Sequence, residues 1–192
     1  MKRLTLLAGA VLCLMLVTTR AQADPVSLGV WYEFYFGGAG SFGAACGPCW
    51  PSSGTPTTFA PDPPWTFTLG GPGQLVLTDA FLIGDQFRAY DFGVSLGLTS
   101  APGSGPSCGD DPVPCLADPN ISSATFMLGP GNHSLTIEAV LSPYGSGAAY
   151  FRADELQGVA PEPASWALVA GVLGLLAGSR LRRFRRAAPP VA

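Results

Sequence analysis

Glycine and proline recur so densely along this chain that long helices are excluded before any motif is read. There are 25 glycines and 19 prolines in 192 residues. Proline removes a backbone donor and clashes with the preceding turn, and glycine loses more freedom on folding than any other residue. A helical bundle or coiled coil cannot be built from such a sequence. Apolar residues still make up 47% of the chain and charged ones only 12%. That is enough apolar surface for a core, and too little charge for a disordered polyelectrolyte. The combination points to short strands joined by turns.

The periodicity agrees. Val26, Leu28, Val30, Tyr32, Phe34 and Phe36 alternate with Ser27, Gly29, Trp31, Glu33 and Tyr35, predicting one long strand over 26–36. Residues 37–64 read as loop. Strand patterns resume at 65–69, 74–81, 86–90, 94–99, 123–128, 134–141 and 148–153, with turns at 91–93 and 129–132. In the segment 134–141, Leu135, Ile137, Ala139 and Leu141 share one face. Seven or eight antiparallel strands without an amphipathic helix predict an all-β, jelly-roll-like antiparallel β-sandwich over residues 24–158.

Both ends read as processing segments. Residues 1–23 carry Lys2 and Arg3, an apolar stretch over 4–17 and the small-residue site Ala21-Gln22-Ala23, the three parts of a secretory signal peptide. Export through the Sec translocon and cleavage by signal peptidase are the expectation. At the other end no charge occurs over 163–179, Trp166 sits near one end, and Arg180, Arg182, Arg183, Arg185 and Arg186 follow at the other. Seventeen helical residues span roughly 25 Å, slightly short of the ~30 Å hydrocarbon core, and snorkelling arginines make up the difference. A single transmembrane helix at about 164–181 is predicted, its arginine-rich end (180–186) cytoplasmic.

Pro161-Glu162-Pro163, the apolar helix and the arginine cluster stand in that order at the C-terminus. Together, over 159–186, they resemble a PEP-CTERM sorting signal. The resemblance implies recognition by an exosortase, a membrane transpeptidase-like enzyme of Gram-negative bacteria that make extracellular polysaccharide. It implies anchoring in the inner membrane, then processing near the motif and release or transfer to the cell surface. The prolines hold the motif extended, and Glu162 adds one charge at the interface. The blocks 77–93 and 142–154 are similar to a recurring ectodomain of the same class of proteins, for which no activity follows.

Between positions 24 and 160 there are twelve acids and only two basic residues, Arg88 and Arg152. Such a segment has no basic stripe to neutralise phosphates, so no nucleic-acid partner is expected. Four cysteines remain after signal removal: Cys46, Cys49, Cys108 and Cys115. An even count in an exported chain reads as two disulfides, and local pairs, each pinning a Gly/Pro loop, are the favoured arrangement. Cys46-Gly47-Pro48-Cys49 copies the thioredoxin tetrapeptide, but Pro51 and Pro56 follow where that motif opens a helix, which argues against redox chemistry. Zinc held by the four thiolates would need an unusually wide second spacing.

His133, the single histidine, falls in a turn pattern and reads as solvated. No nucleophile elbow surrounds any serine. Asp79, Asp85, Asp91, Asp110, Asp111 and Asp118 offer oxygen ligands for a structural Ca²⁺; no other cofactor is implied. Trp31, Trp50, Trp65 and Tyr144 are either core aromatics or a sugar-stacking platform. Two classes of function remain. One is a non-catalytic surface or matrix protein in contact with exopolysaccharide. The other is a secreted hydrolase or Ca²⁺-dependent carbohydrate-binding protein. No pair of carboxylates is singled out as a hydrolase would require, so the first is the expectation.

Overall fold

Two five-stranded sheets pack face to face in a computed structural model that describes residues 23–156. The first sheet runs β1 (Asp24–Pro25), β4 (Trp65–Leu69), β9 (Gly131–Leu141), β6 (Gln86–Asp91) and β7 (Val94–Leu98). The second runs β3 (Thr57–Phe59), β2 (Trp31–Phe36), β10 (Gly147–Glu155), β5 (Gly73–Asp79) and β8 (Ser123–Leu128). The described residues are thus all-β and sandwich-like. Among the described residues no helix is long and apolar enough to cross a membrane. The segments expected to form the signal peptide (up to residue 22) and the transmembrane helix (164–181), together with Pro161-Glu162-Pro163 and the five arginines of 180–186, lie outside the described residues.

Two expectations need correction. The sheets are mixed rather than purely antiparallel, because β1 pairs with β4, and β3 with β2, in parallel. Both added strands are short, and each reaches its partner through a long connection, which parallel pairing requires. The segment 26–36 is also not one strand. Gly29 takes φ +75°, a left-handed conformation that ends the extended run. β1 therefore joins the first sheet and β2 the second.

The inner faces form an aromatic core. Trp65, Phe34, Phe36, Phe87 and Phe151 are fully buried. Phe34 sits 5.5 Å from Trp65, 5.9 Å from Phe87 and 6.0 Å from Phe151 between ring centroids. Burying each such ring contributes roughly 2–3 kcal/mol. Leu135, Ile137 and Ala139 enter the core from β9 as their alternation requires, whereas Leu141 is exposed.

The outer face of the second sheet is covered as well. Trp31, Val76 and Tyr150 pack against Ala80, Ile83, Cys115 and Ile121 in a second apolar cluster. Cys115 belongs to α1 (Pro112–Ala117), a short helix capped by Asp111, whose side chain accepts from the Val113 N–H, and opened by Pro112. This asymmetry positions everything that follows. One face of the sandwich is roofed by loops, while the outer face of the first sheet carries Thr66, Thr68, Arg88, Tyr90, Ser134, Thr136 and Glu138, none of them buried.

Candidate functional site

The cysteines pair locally, Cys46 with Cys49 and Cys108 with Cys115, at Cα separations of 5.4 and 5.1 Å. Residues 41–60 fold back beside β2. Ala44 exchanges backbone hydrogen bonds with Tyr35, the Cys46 N–H donates to the Ala60 carbonyl, and the Ala60 N–H to Glu33. This return path sets the Cys46-Gly-Pro-Cys49 turn on the outward-facing side chain of Glu33. One carboxylate oxygen of Glu33 and the two sulfurs all lie within 4.8 Å of one another.

Glu33 is completely buried, and among the described residues neither of its carboxylate oxygens has a hydrogen-bond partner. Burial, and then the charge of Asp110, push its carboxyl up to about 7, as desolvation of the charged form requires. The neighbouring loop is fastened tightly. Asp110 accepts from the Ser53 N–H at 3.0 Å and its hydroxyl at 2.6 Å. Asp111 accepts from the Thr55 N–H at 3.1 Å while it caps α1. Tyr150 donates its hydroxyl to the Asp110 carbonyl at 2.7 Å. The two disulfide loops are therefore stitched together over the second sheet.

Among the described residues the remaining acids form no cluster of three ligand groups. Asp79 is buried, and its two oxygens accept from the N–H groups of Ala80 and Asp85. Burial, and then the Asp85 charge, raise its carboxyl to about 7. Asp118 accepts from Asn120, and Asp91 serves His133 and Ser134. Among the described residues the one place where three carboxylate, imidazole or sulfur groups converge is Glu33, Cys46 and Cys49, and there the two sulfurs are joined to each other. A four-thiolate zinc site is not assembled.

His133 corrects the sequence reading: it lies in β9, is 7% exposed and stacks on Phe67 with ring centroids 5.1 Å apart. Its ring nitrogens face two acceptors, the Asp91 carboxylate at 2.8 Å and the Gly129 carbonyl at 3.0 Å. Neither is free to take a proton from a serine. Trp31 and Trp65 are buried, leaving only Trp50 and Tyr144 of the four suggested stacking aromatics exposed.

The polar outer face of the first sheet was not singled out by sequence. There the Tyr90 hydroxyl donates to Glu138 at 2.5 Å, Arg88 approaches the same carboxylate at 3.9 Å, and the exposed Phe42 ring lies 6.0 Å from Tyr90. An open groove of about 550 Å³ at the edge of this sheet is lined by Pro25, Thr66, Thr68, Phe92, Asn132 and His133 among others. Period-2 alternation places these threonines outward, but nothing in the sequence says which sheet keeps its outer face open. Comparison with protein-family models, with curated proteins and with solved structures finds no match for this chain.

Proposed function

We propose that the chain is an exported surface or extracellular-matrix protein of PEP-CTERM type. It is held first in the inner membrane by its C-terminal helix and then processed by an exosortase. The observation that carries this reading is the ordered tail: Pro161-Glu162-Pro163, an uncharged stretch over 163–179, and five arginines after it. Two cysteine pairs at disulfide distance suit an oxidising compartment.

We read the sandwich as a jelly roll. Without the short β1 and β3, the strands lie in the order β2-β10-β5-β8 facing β4-β9-β6-β7. Numbered one to eight along the chain, these are first-eighth-third-sixth against second-seventh-fourth-fifth, the interleaving of two Greek keys. The outer face of the first sheet, with Phe42 and Tyr90 beside Arg88 and Glu138, supplies stacking and hydrogen-bonding groups suited to exopolysaccharide without a catalytic pair.

Fractionating an exosortase-bearing host tests the proposal. The chain should appear as an inner-membrane precursor and a shorter form outside that membrane, the shorter form co-sedimenting with exopolysaccharide. A chain that stays full-length in the inner membrane, or a shorter form that never associates with polysaccharide, would contradict it.

A further inference from the structure

We propose that the Cys46–Cys49 disulfide is an exchange site for exposed dithiols of other exported molecules, with the buried Glu33 carboxyl as its internal proton donor. The cysteine motif alone did not indicate this, because no helix follows it. What changes the reading is a fully buried carboxyl with two partnerless oxygens beside both sulfurs. Buried polar groups are otherwise satisfied, and an isolated buried carboxylate is costly.

The two sulfurs differ in access. Cys46 is buried, while Cys49 is partly exposed and followed by Trp50, the most exposed large apolar side chain among the described residues. An incoming thiolate therefore meets Cys49. A bond forms between its sulfur and Cys49 Sγ as the Cys46–Cys49 bond breaks, and the electron pair leaves on Cys46 Sγ. A thiolate at that buried position is strongly disfavoured. The Glu33 acid removes the difficulty by giving Cys46 its proton and becoming the carboxylate, which solvent later reprotonates. The second thiolate of the dithiol then attacks its own sulfur in the mixed disulfide, closing the partner's disulfide. Cys49 leaves as thiolate and takes a proton from water. The partner dithiol has lost two electrons and the Cys46–Cys49 pair has gained them.

Among the described residues, the Asp110 charge acts on Glu33 from the loop before α1 and Tyr150 pairs with Glu33 from β10, with Asp111 next to Asp110 and Arg152 two residues along β10 from Tyr150. Tyr150 is fixed to the Asp110 carbonyl, and Arg152 pairs with Asp154 at 2.8 Å over the Trp31 ring. Among the described residues, Glu33 is the carboxylate grouped with both sulfurs.

The test is the rate at which dithiothreitol reduces Cys46–Cys49 in the full chain and in its E33Q variant, from about pH 5.5 to 8.5. The intrinsic dependence on the reductant's thiolate cancels in the ratio of the two rates. That ratio should fall about tenfold between about pH 6 and pH 8, as Glu33 loses its proton. A ratio that does not change with pH assigns Glu33 a merely structural role and overturns the proposal. With the monothiol glutathione, peptide mapping of the wild type should find the mixed disulfide on Cys49; an adduct on Cys46 overturns it as well. So does a reduced chain that takes up one zinc per chain, requires Glu33 to do so and no longer reoxidises.

Discussion

The Asp91 carboxylate binds the His133 ring through one oxygen at 2.8 Å and the Ser134 N–H through the other at 2.9 Å. Asp91 ends β6, and the next two residues, Phe92 and Gly93, both have positive φ, as a type I′ hairpin turn requires. The contact locks this hairpin to the first residues of β9. Replacing Asp91 with Ala leaves a buried ring nitrogen and a backbone donor unpaired, at about 1–3 kcal/mol. Thermal unfolding should show a fall in Tm of several degrees. His133→Ala should cost at least as much, because the ring also packs on Phe67.

Stability should fall as pH rises from about 4 to about 7. Glu33 moves from 4.5 to about 7 on folding, and Asp79 from 3.8 to about 7. Between those values the folded chain binds more protons than the unfolded one, so raising pH weakens folding. Below about pH 4 the effect is absent, and above about pH 7 it is complete. E33Q should remove the Glu33 share of the slope, leaving that of Asp79, and raise stability near pH 8 by about 3 kcal/mol. Denaturant midpoints of wild type and variant across that range measure it; an unchanged profile would refute the assignment.

The Cys108–Cys115 disulfide should matter for stability. It fixes α1 on the second apolar cluster, where Cys115 and Ile121 cover Trp31 and Tyr150. Closing so short a loop is worth about 2–3 kcal/mol in the chain-entropy account. A double Cys108→Ala, Cys115→Ala variant should lose that much, and amide exchange should accelerate first over 107–121.

Strand positions were largely legible because buried faces impose period two. The segments 65–69 and 123–128 coincide with β4 and β8. Other readings failed where the chain leaves a two-faced strand pattern. β2 is buried on both faces because residues 41–60 and the loop bearing α1 cover its far side, so Glu33 read as an ordinary outward residue. His133 read as a turn residue because Gly129, Pro130 and Gly131 precede it, yet β9 begins at Gly131. α1 did have a local signature, an Asp111 cap followed by Pro112, which six residues between prolines and a disulfide obscure.

The motif at Pro161-Glu162-Pro163 carries the central claim, so its replacement by three alanines in an exosortase-bearing host is the most direct test. On the proposed reading, insertion depends on the hydrophobicity of the uncharged stretch 163–179 and not on the motif. Replacing both prolines with alanine also removes their restriction on helical backbone. The variant should therefore enter the inner membrane normally and stay there uncleaved, as a larger species than the trimmed wild type. Trimming of the triple-alanine variant to the wild-type size would contradict the account.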